Sequence, residues 1–365
     1  MSANEPSNSG RKLVCYYQPT SYFPASRVPA STCTHLIYAF GTITSAGPGI
    51  APPSSGQASA WNTLTSLRQQ NPQLKVMLSL QKDFNLVVGA DKSLMQKFAA
   101  NAVAYLRKYK FDGVDMDWEF PKSSQKAYFA TFFQLEIARI YHLGLCFKQV
   151  MREAMEQEAL ETGGDPLLLS LALPNNQYVA ATRYDLPAIA SNVDFATAMT
   201  YDFHLFVKNI DTKTGYNSPL YTTPGDNKYY SASAMAQYYM SQGFTASKLL
   251  LGIPTYGRSW MLSSSANHGL HAPAVGKGDP GPYRHLRGVY SFPDVQWAVQ
   301  SGLGGVGVWS MALDDADNVC GMGSLPLLNT MKGALLGAGG AAHVFPDRDM
   351  QDKPTFRNRV HSTQH

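Results

Sequence analysis

Eight apolar, β-rich runs recur along this sequence, and a helix-compatible segment follows each of them. Nearly continuous apolar runs are typical of strands that are buried on both faces, and strands that alternate with helices indicate βαβ units and a parallel sheet. Eight units favour a closed (β/α)₈ barrel, an α/β fold, over an open doubly wound sheet. The runs are KLVCYYQ (12–18), THLIYAFGTI (34–43), KVMLSL (75–80), VDMDWEF (114–120), PLLLSLAL (166–173), VDFATAMTYD (193–202), KLLLGIPTYG (248–257) and GVGVWSM (305–311).

The rest of the chain divides around this repeat. Residues 1–11 are a polar arm, residues 12–336 hold the barrel, and residues 337–365 lose apolar periodicity and are expected to be a disordered tail. Residues 261–290 are rich in Ser, Gly, Pro and His, so we expect a loop there. Helical patterns include SGQASAWNTLTSLRQQ, SLMQKFAANAVAYLRKYK and SASAMAQYYMSQG.

Composition narrows the possible function classes. The chain is 44% hydrophobic and 15% charged, with a formal net charge of +4 and no block of like charges, so a nucleic-acid partner is not indicated. No apolar run reaches the roughly 18 residues that a membrane span requires. The N-terminus MSANEPSNSGRK lacks the apolar centre of a secretory signal. No G-x-G-x-x-G follows the first run, and no cofactor is expected.

The stretch FDGVDMDWEFP, residues 111–121, carries four carboxylates threaded with large apolar side chains. If residues 111–120 form the fourth strand, Asp115, Asp117 and Glu119 share one face, because side chains alternate along a strand. In a barrel that face points inward, and Glu119 lies nearest the catalytic mouth. Asp112 lies off this face and is expected to hold the start of the strand.

Three stacked acids in a low-dielectric interior cannot all ionise cheaply. Repulsion and desolvation raise at least one pKa, which gives a protonated acid near neutral pH, as a general acid requires. Two other interpretations stay open. A divalent metal could bind the carboxylates, although one straight strand places them in a line. A purely structural acid network is also possible, at a high desolvation cost.

The motif D-G-x-D-x-D-W-E-[YF]-P resembles the signature of glycoside hydrolase family 18, the chitinases and chitinase-like lectins. The segments KLVCYY, CTHLIYAF, MTYDFH, SKLLLGIPTYGRSW and GLGGVGVWSMALDD also resemble strands of animal chitinases, in the same order. The resemblance covers residues 12–336. It implies a (β/α)₈ barrel that hydrolyses β-1,4-linked N-acetylglucosamine polymers with retention, the 2-acetamido group of the sugar acting as the nucleophile.

The resemblance also implies a role for each residue of the motifs. Glu119 is expected to protonate the leaving oxygen and then activate water, Asp117 to orient the acetamide, and Asp115 to share a proton with Asp117. Tyr201 joins these three as a catalytic residue. The expected substrate-binding residues are Trp309, Met199, Asp202, Tyr256, Arg258 and Tyr16, and no metal ligand is expected.

Some of these residues also have structural interpretations. Trp309 and Met199 lie in apolar runs and are core residues by default. Strand alternation predicts that Asp202 faces away from Tyr201. His204 is expected to be structural or on the surface.

The resemblance further implies a disulfide between Cys15 and Cys33. Cys320 falls at a family cysteine, whereas Cys146 has no counterpart and is expected to be free. The implied partners are chitin or chitooligosaccharides, with no nucleic acid or membrane, and the implied protein is an extracellular monomer.

The sequence departs from the family pattern in four places. Residues 79–83 read SLQKD where the pattern has S-x-G-G followed by Trp, Pro19 and Thr20 replace an aromatic residue, and a tryptophan is absent near residues 205–207, which read LFV. Residues 261–304 are too few for the usual α+β insertion, and residues 135–149 add a segment without a counterpart. These losses favour an alternative, a chitooligosaccharide-binding lectin with weak or no activity. An endo-β-N-acetylglucosaminidase shares the acid motif.

Overall fold

A computed structural model of the chain describes residues 10–44, 46–133, 150–278, 305–318 and 321–336. Eight parallel strands close into a barrel, so the predicted α/β barrel is confirmed. Each barrel strand pairs with the next along the chain, and β10 pairs with both β7 and β1. The strands are β1 (Lys12–Tyr17), β2 (His35–Gly41), β3 (Lys75–Leu80), β4 (Gly113–Met116), β5 (Leu168–Leu173), β6 (Phe195–Ala198), β7 (Leu249–Pro254), β8 (Trp260–Leu262), β9 (Ala274–Lys277) and β10 (Gly305–Trp309).

Apolar side chains alternate between two cores. Along β1, Leu13, Cys15 and Tyr17 belong to the large cluster outside the barrel, and Val14 and Tyr16 belong to a smaller cluster inside it. Both sets are buried because helices cover the outer face and the barrel encloses the inner one. This double burial explains the nearly continuous apolar runs. The other fully buried members of the inner cluster are Ile37, Met77, Phe195 and Leu250.

The three helical patterns are confirmed, and each helix begins at a capping side chain. Ser54, Asp91 and Ser231 accept hydrogen bonds from the first turns of α1, α2 and α7, which satisfies backbone donors that would otherwise lack partners. The helices are α1 (Ser55–Ser66), α2 (Lys92–Lys108), α3 (Lys126–Phe133), α4 (Met151–Thr162), α5 (Gln177–Arg183), α6 (Leu186–Asn192), α7 (Ala232–Ser241) and α8 (Pro326–Leu336). None of these helices is long and apolar enough to cross a membrane.

Two acids fix the starts of barrel strands by the same arrangement. Asp112 precedes β4, forms an ion pair with Arg68 and accepts a hydrogen bond of 2.7 Å from the backbone N–H of Val76. The expectation that Asp112 holds the start of this strand is therefore confirmed. Before β6, the carboxylate of Asp194 is held in the same way by Arg152 and by the backbone N–H of Leu169.

A glycine lets strands β4 and β5 approach closely. A Cβ atom at Gly113 would lie 2.3 Å from the carbonyl oxygen of Leu168, a distance that no side chain tolerates. Gly113 therefore permits the strand contact at the start of the acid segment.

The region after β7 is not wholly a loop, which corrects the prediction for residues 261–290. Strands β8 and β9 form an antiparallel hairpin there, and residues 212–214 of the loop after β6 pair with residues 272–274. We call these three paired segments the side wall: residues 212–214, 260–262 and 272–277. Most residues of β8 and β9 are exposed or half-buried, so these strands lack the apolar run that predicted the barrel strands. Residues 279–290 lie outside the described residues.

Several further predictions concern residues that the structure does not describe. They include residues 1–9 of the polar arm, the added segment 135–149 with Cys146, Cys320, and the tail 337–365. These stay predictions.

The Cys15–Cys33 pairing is present as a disulfide that joins β1 to the segment before β2, with a Cα–Cα distance of 6.1 Å. We expect non-reducing peptide mapping to recover the two residues in one linked fragment, and Cys146 to be alkylated. Reduction should lower the free energy of unfolding by about 3 kcal/mol, because the bridge restricts the unfolded chain. Alkylation of Cys15 in unreduced protein would contradict this pairing.

Candidate active site

A cavity of about 280 Å³ lies at the carboxyl ends of the barrel strands. Its lining comes from the segments that directly follow β4, β6 and β7, and from the end of β10. Eight of the ten predicted site residues line it, and Leu313 is an addition that no motif predicts. The lining residues are Asp117, Glu119, Met199, Tyr201, Asp202, Tyr256, Arg258, Trp309 and Leu313.

The acid segment reaches the cavity in a different way from the one predicted. Strand β4 ends at Met116, so Asp117 and Glu119 lie beyond it rather than on a strand over residues 114–120. Trp118 holds this segment, since its ring stacks on Phe84 at 5.2 Å within the outer core. The side chain of Trp118 therefore points outward, whereas both neighbouring acids line the cavity.

Asp115 lies beneath the cavity, is fully buried, and does not belong to the lining. Its carboxylate accepts hydrogen bonds from the hydroxyls of Tyr16 (3.1 Å), Ser79 (2.8 Å) and Ser170 (2.6 Å). Burial raises the pKa of Asp115, and the three hydroxyl donors oppose that rise. Tyr16 is thus placed against Asp115 and beside Trp309, below the cavity, and its predicted contact with substrate stays a prediction.

Asp117 lines the cavity with one oxygen that has no protein partner. Its Oδ1 is buried and accepts no hydrogen bond from any described residue. Burial, followed by the charges of Glu119 and Asp115, raises the pKa of Asp117 well above its ordinary value. Both the desolvation and the like-charge repulsion expected from the sequence therefore act on Asp117 and raise its pKa.

Glu119 is the most accessible of the three acids. Burial is the main cause that raises its pKa, and the charge of Asp202 adds to the rise. The side-chain amide of Gln81 donates a hydrogen bond of 3.1 Å to Glu119 Oε1, which lowers the pKa. A carboxyl group with a raised pKa at the mouth of a cavity is suited to donate a proton.

Tyr201 and Asp202 line the same cavity, so the predicted opposite orientation of Asp202 is wrong. Strand β6 ends at Ala198, and Asp202 has a φ of 58°, so strand alternation no longer applies. The side-chain amide of Asn217 stabilises this turn: its oxygen accepts from the Asp202 N–H at 3.0 Å, and its nitrogen donates to the Tyr256 carbonyl at 3.0 Å.

An ion pair forms one edge of the cavity. Arg258 binds Asp202 through two nitrogens, with the Nε–Oδ1 distance at 2.6 Å, and its guanidinium lies 5.0 Å from the ring centre of Tyr256. Burial raises the pKa of Tyr201 well above its ordinary value, so its phenol stays protonated and can donate. The cavity therefore offers neutral donors, a fixed charge pair and aromatic surface.

Trp309 is both a core residue and a cavity residue. Its ring stacks on Phe40 at 5.7 Å and tilts against Tyr16 at 5.6 Å, and it also lines the cavity. Aromatic contacts inside the barrel thus hold the ring in place. The support from Phe40 could not be predicted, because Phe40 is one of many apolar residues in its run.

A cluster of histidines and acids lies beside the side wall, outside the cavity lining. His204 lies between Asp211 and Asp226, at 3.3 Å from each, and His271 contacts Asp226 at 2.8 Å. The structural role expected for His204 fits this position. Within the described part of the chain, no group of three His, Cys, Asp or Glu residues is placed to hold a metal ion.

Comparisons with known proteins agree with this architecture. The chain is 32% identical to mouse (Mus musculus) chitotriosidase-1, over 89% of the chain and 78% of that protein. It is 26% identical to chitinase-3-like protein 2 of Homo sapiens, over 90% of the chain and 93% of that protein. Human YKL-39, a solved structure described as a pseudo-chitinase with retained chitooligosaccharide binding properties, shares the fold with a TM-score of 0.77 at 24% identity, over 89% of this chain and 99% of that one. The sequence profile of the glycosyl hydrolases family 18 matches residues 12–314, and the chain belongs to this family.

Proposed function

We propose that the protein hydrolyses β-1,4-linked N-acetylglucosamine chains, with retention of anomeric configuration. Glu119 donates a proton to the leaving glycosidic oxygen while the acetamido carbonyl oxygen of the same sugar attacks the anomeric carbon. The bond to the leaving sugar breaks, and a cyclic oxazolinium forms. Glu119, now a carboxylate, takes a proton from water, which attacks the anomeric carbon and opens the ring. The net reaction consumes one water.

The unpartnered Oδ1 of Asp117 is the observation that carries this proposal. A buried carboxylate oxygen without a donor is costly, and it lies in a cavity next to a raised-pKa glutamate. The N–H of an acetamido group supplies the missing donor. As the carbonyl oxygen attacks, the amide nitrogen gains positive charge, which a nearby carboxylate stabilises more strongly than it does the ground state.

The remaining residues of the cavity fit a sugar that carries an acetamido group. In this proposal the Tyr201 hydroxyl donates to the acetamido carbonyl, and Met199 contacts its methyl group. The C–H face of the sugar stacks on Trp309, which other aromatic rings hold in place. Tyr256 and the Asp202–Arg258 ion pair bind sugar hydroxyls.

A lectin is the second candidate. The structural relative YKL-39 is described as a pseudo-chitinase that binds chitooligosaccharides. The absence of a tryptophan at the third strand's end and of another near residues 205–207 favours this alternative, because outer aromatic rings supply binding energy for a polymer. The presence of Glu119 with a raised pKa favours the enzyme.

The proposal extends to partners and compartment. We infer that the protein is an extracellular monomer whose partner is chitin or a chitooligosaccharide, with no nucleic-acid or membrane partner. The disulfide supports an oxidising compartment, and the mild net charge of +4 gives no reason to expect a polyanion.

Three assays on one preparation test the proposed function. We expect release of a chromophore from a chitobioside, calorimetric binding of chitotetraose, and no release of glycans from a denatured glycoprotein. Binding without chromophore release would support the lectin instead. Glycan release alone would support an endo-β-N-acetylglucosaminidase, and the absence of all three signals would refute a saccharide-directed function.

A further inference from the structure

A glutamine contacts the proposed catalytic acid from a neighbouring strand end. Gln81 directly follows β3, and its side-chain nitrogen lies 3.1 Å from Glu119 Oε1. The family pattern S-x-G-G has a glycine at this position, which carries no side chain. This chain therefore adds an amide donor to the acid.

The chemistry of the contact limits how Glu119 can hold its proton. An amide N–H only donates, so the oxygen that it contacts must offer a lone pair. In a protonated carboxyl group the carbonyl oxygen is a better acceptor than the hydroxyl oxygen, so the contact favours the proton on Oε2, the oxygen that Gln81 does not contact. When the carboxyl group is ionised, the same hydrogen bond becomes stronger, because hydrogen bonds to charged acceptors exceed neutral ones.

We propose that Gln81 is a positioning residue for Glu119, which fixes the orientation of the carboxyl group and directs its acidic proton to Oε2. This inference rests on the proposed function. Gln81 acts through Glu119 and has no contact with substrate in the reaction. Because its hydrogen bond favours the carboxylate, Gln81 also lowers the pH at which the acid form is lost, and it assists the second step, in which Glu119 accepts a proton.

Other charged and titratable groups face Glu119, and they stay constant in the test. The charge of Asp202 raises the pKa of Glu119 and so opposes the effect of Gln81. The charges of Asp117 and Glu119 repel one another. The groups around Glu119 come from the same segment, from the end of α5, and from the loops after β6 and β7: Asp117, Tyr184, Tyr201, Asp202, Tyr256 and Arg258.

The test replaces Gln81 with two residues of similar length. Gln81→Met removes the donor, and Gln81→Glu replaces it with a second carboxylate. The matched control is Gln157→Met on α4, which removes a hydrogen bond of 2.6 Å between Gln157 and Glu161, the same pair of residue types on an exposed helix face. The control should leave activity unchanged.

We expect two changes in the pH profile of hydrolysis. The pH-independent kcat of Gln81→Met should fall by about twofold to tenfold, the factor that corresponds to the loss of one hydrogen bond. Activity is lost as pH rises through the pKa of Glu119, and Gln81 lowers that pKa, so this limb should move to higher pH in Gln81→Met. The like charge in Gln81→Glu should move it further. A profile equal to that of Gln157→Met would overturn the inference.

A second measurement does not depend on activity. ¹³C NMR of the side-chain carboxyl carbons, in protein labelled at glutamate, follows the titration of Glu119. The signal of Glu119 is the one that is missing in Glu119→Gln. We expect Glu119 to titrate at higher pH in Gln81→Met than in the wild type. If the wild type hydrolyses nothing but this shift occurs, the proposed function fails while the contact and its effect stand. If the Glu119 titration is unchanged, the role of Gln81 is refuted whatever the activity.

Discussion

The Glu119→Gln variant should lose about 10²- to 10⁴-fold of kcat, the usual contribution of a general acid. The amide has the shape of the carboxyl group and its oxygen can still accept the Gln81 hydrogen bond, but it cannot give a proton to the leaving oxygen. Binding of chitotetraose should therefore stay close to that of the wild type. Steady-state hydrolysis of a chitobioside and calorimetry measure the two effects.

The control for this variant is Glu156→Gln, which makes the same chemical change on the exposed face of α4. It should change neither quantity. Residual activity of Glu119→Gln above about a tenth of the wild type would remove Glu119 from the acid role, because a general acid contributes more than that.

The Asp117→Asn variant should separate activity from stability. We expect kcat to fall by about 10²- to 10³-fold, since the amide cannot stabilise the positive charge on the acetamido nitrogen. Stability should change in the opposite direction. Burial raises the pKa of Asp117 in the folded protein, so ionising it costs stability once pH exceeds the ordinary value of an aspartate. The neutral amide avoids that cost.

Urea unfolding at several pH values measures this second effect. The wild type should lose stability with rising pH between the ordinary pKa of aspartate and the raised pKa of Asp117, and the variant should lose less. Asp91→Asn is the control, because Asp91 caps α2 and asparagine caps a helix about as well. A variant that is less stable than the wild type at high pH would show that Asp117 has a donor in the folded protein.

The barrel could be predicted from the sequence because each strand is buried on both faces. The strand over residues 249–254 has no polar interruption, and it lies within the predicted run 248–257. The same reasoning extended β4 and β6 too far. Beyond the end of β4, the packing of Trp118 against Phe84 sets the direction of the neighbouring side chains. A contact of this kind is not visible in a local sequence pattern.

The candidate site was predicted as a set of residues rather than as a geometry. Motifs identified the acids and Tyr201, but the position of Asp202 depends on Asn217, which lies 15 residues further along the chain. Gln81 was noticed only as a departure, since its contact with Glu119 spans 38 residues. Contacts of this kind follow from the closed barrel, which brings neighbouring strand ends together, and not from spacing.

The side wall has a consequence for how ligands are chosen. It joins the loop that carries Asp202 to the hairpin that follows Arg258 through backbone pairing, and the adjacent His271–Asp226 contact links the same two segments. Ordering a loop during binding costs conformational entropy, about 0.5–1.5 kcal/mol for each immobilised side chain. Backbone pairing ties the segments of this edge together, so little binding energy is consumed in ordering it. A rigid edge cannot reshape itself around a bulkier sugar, and it therefore discriminates among ligands by their fit.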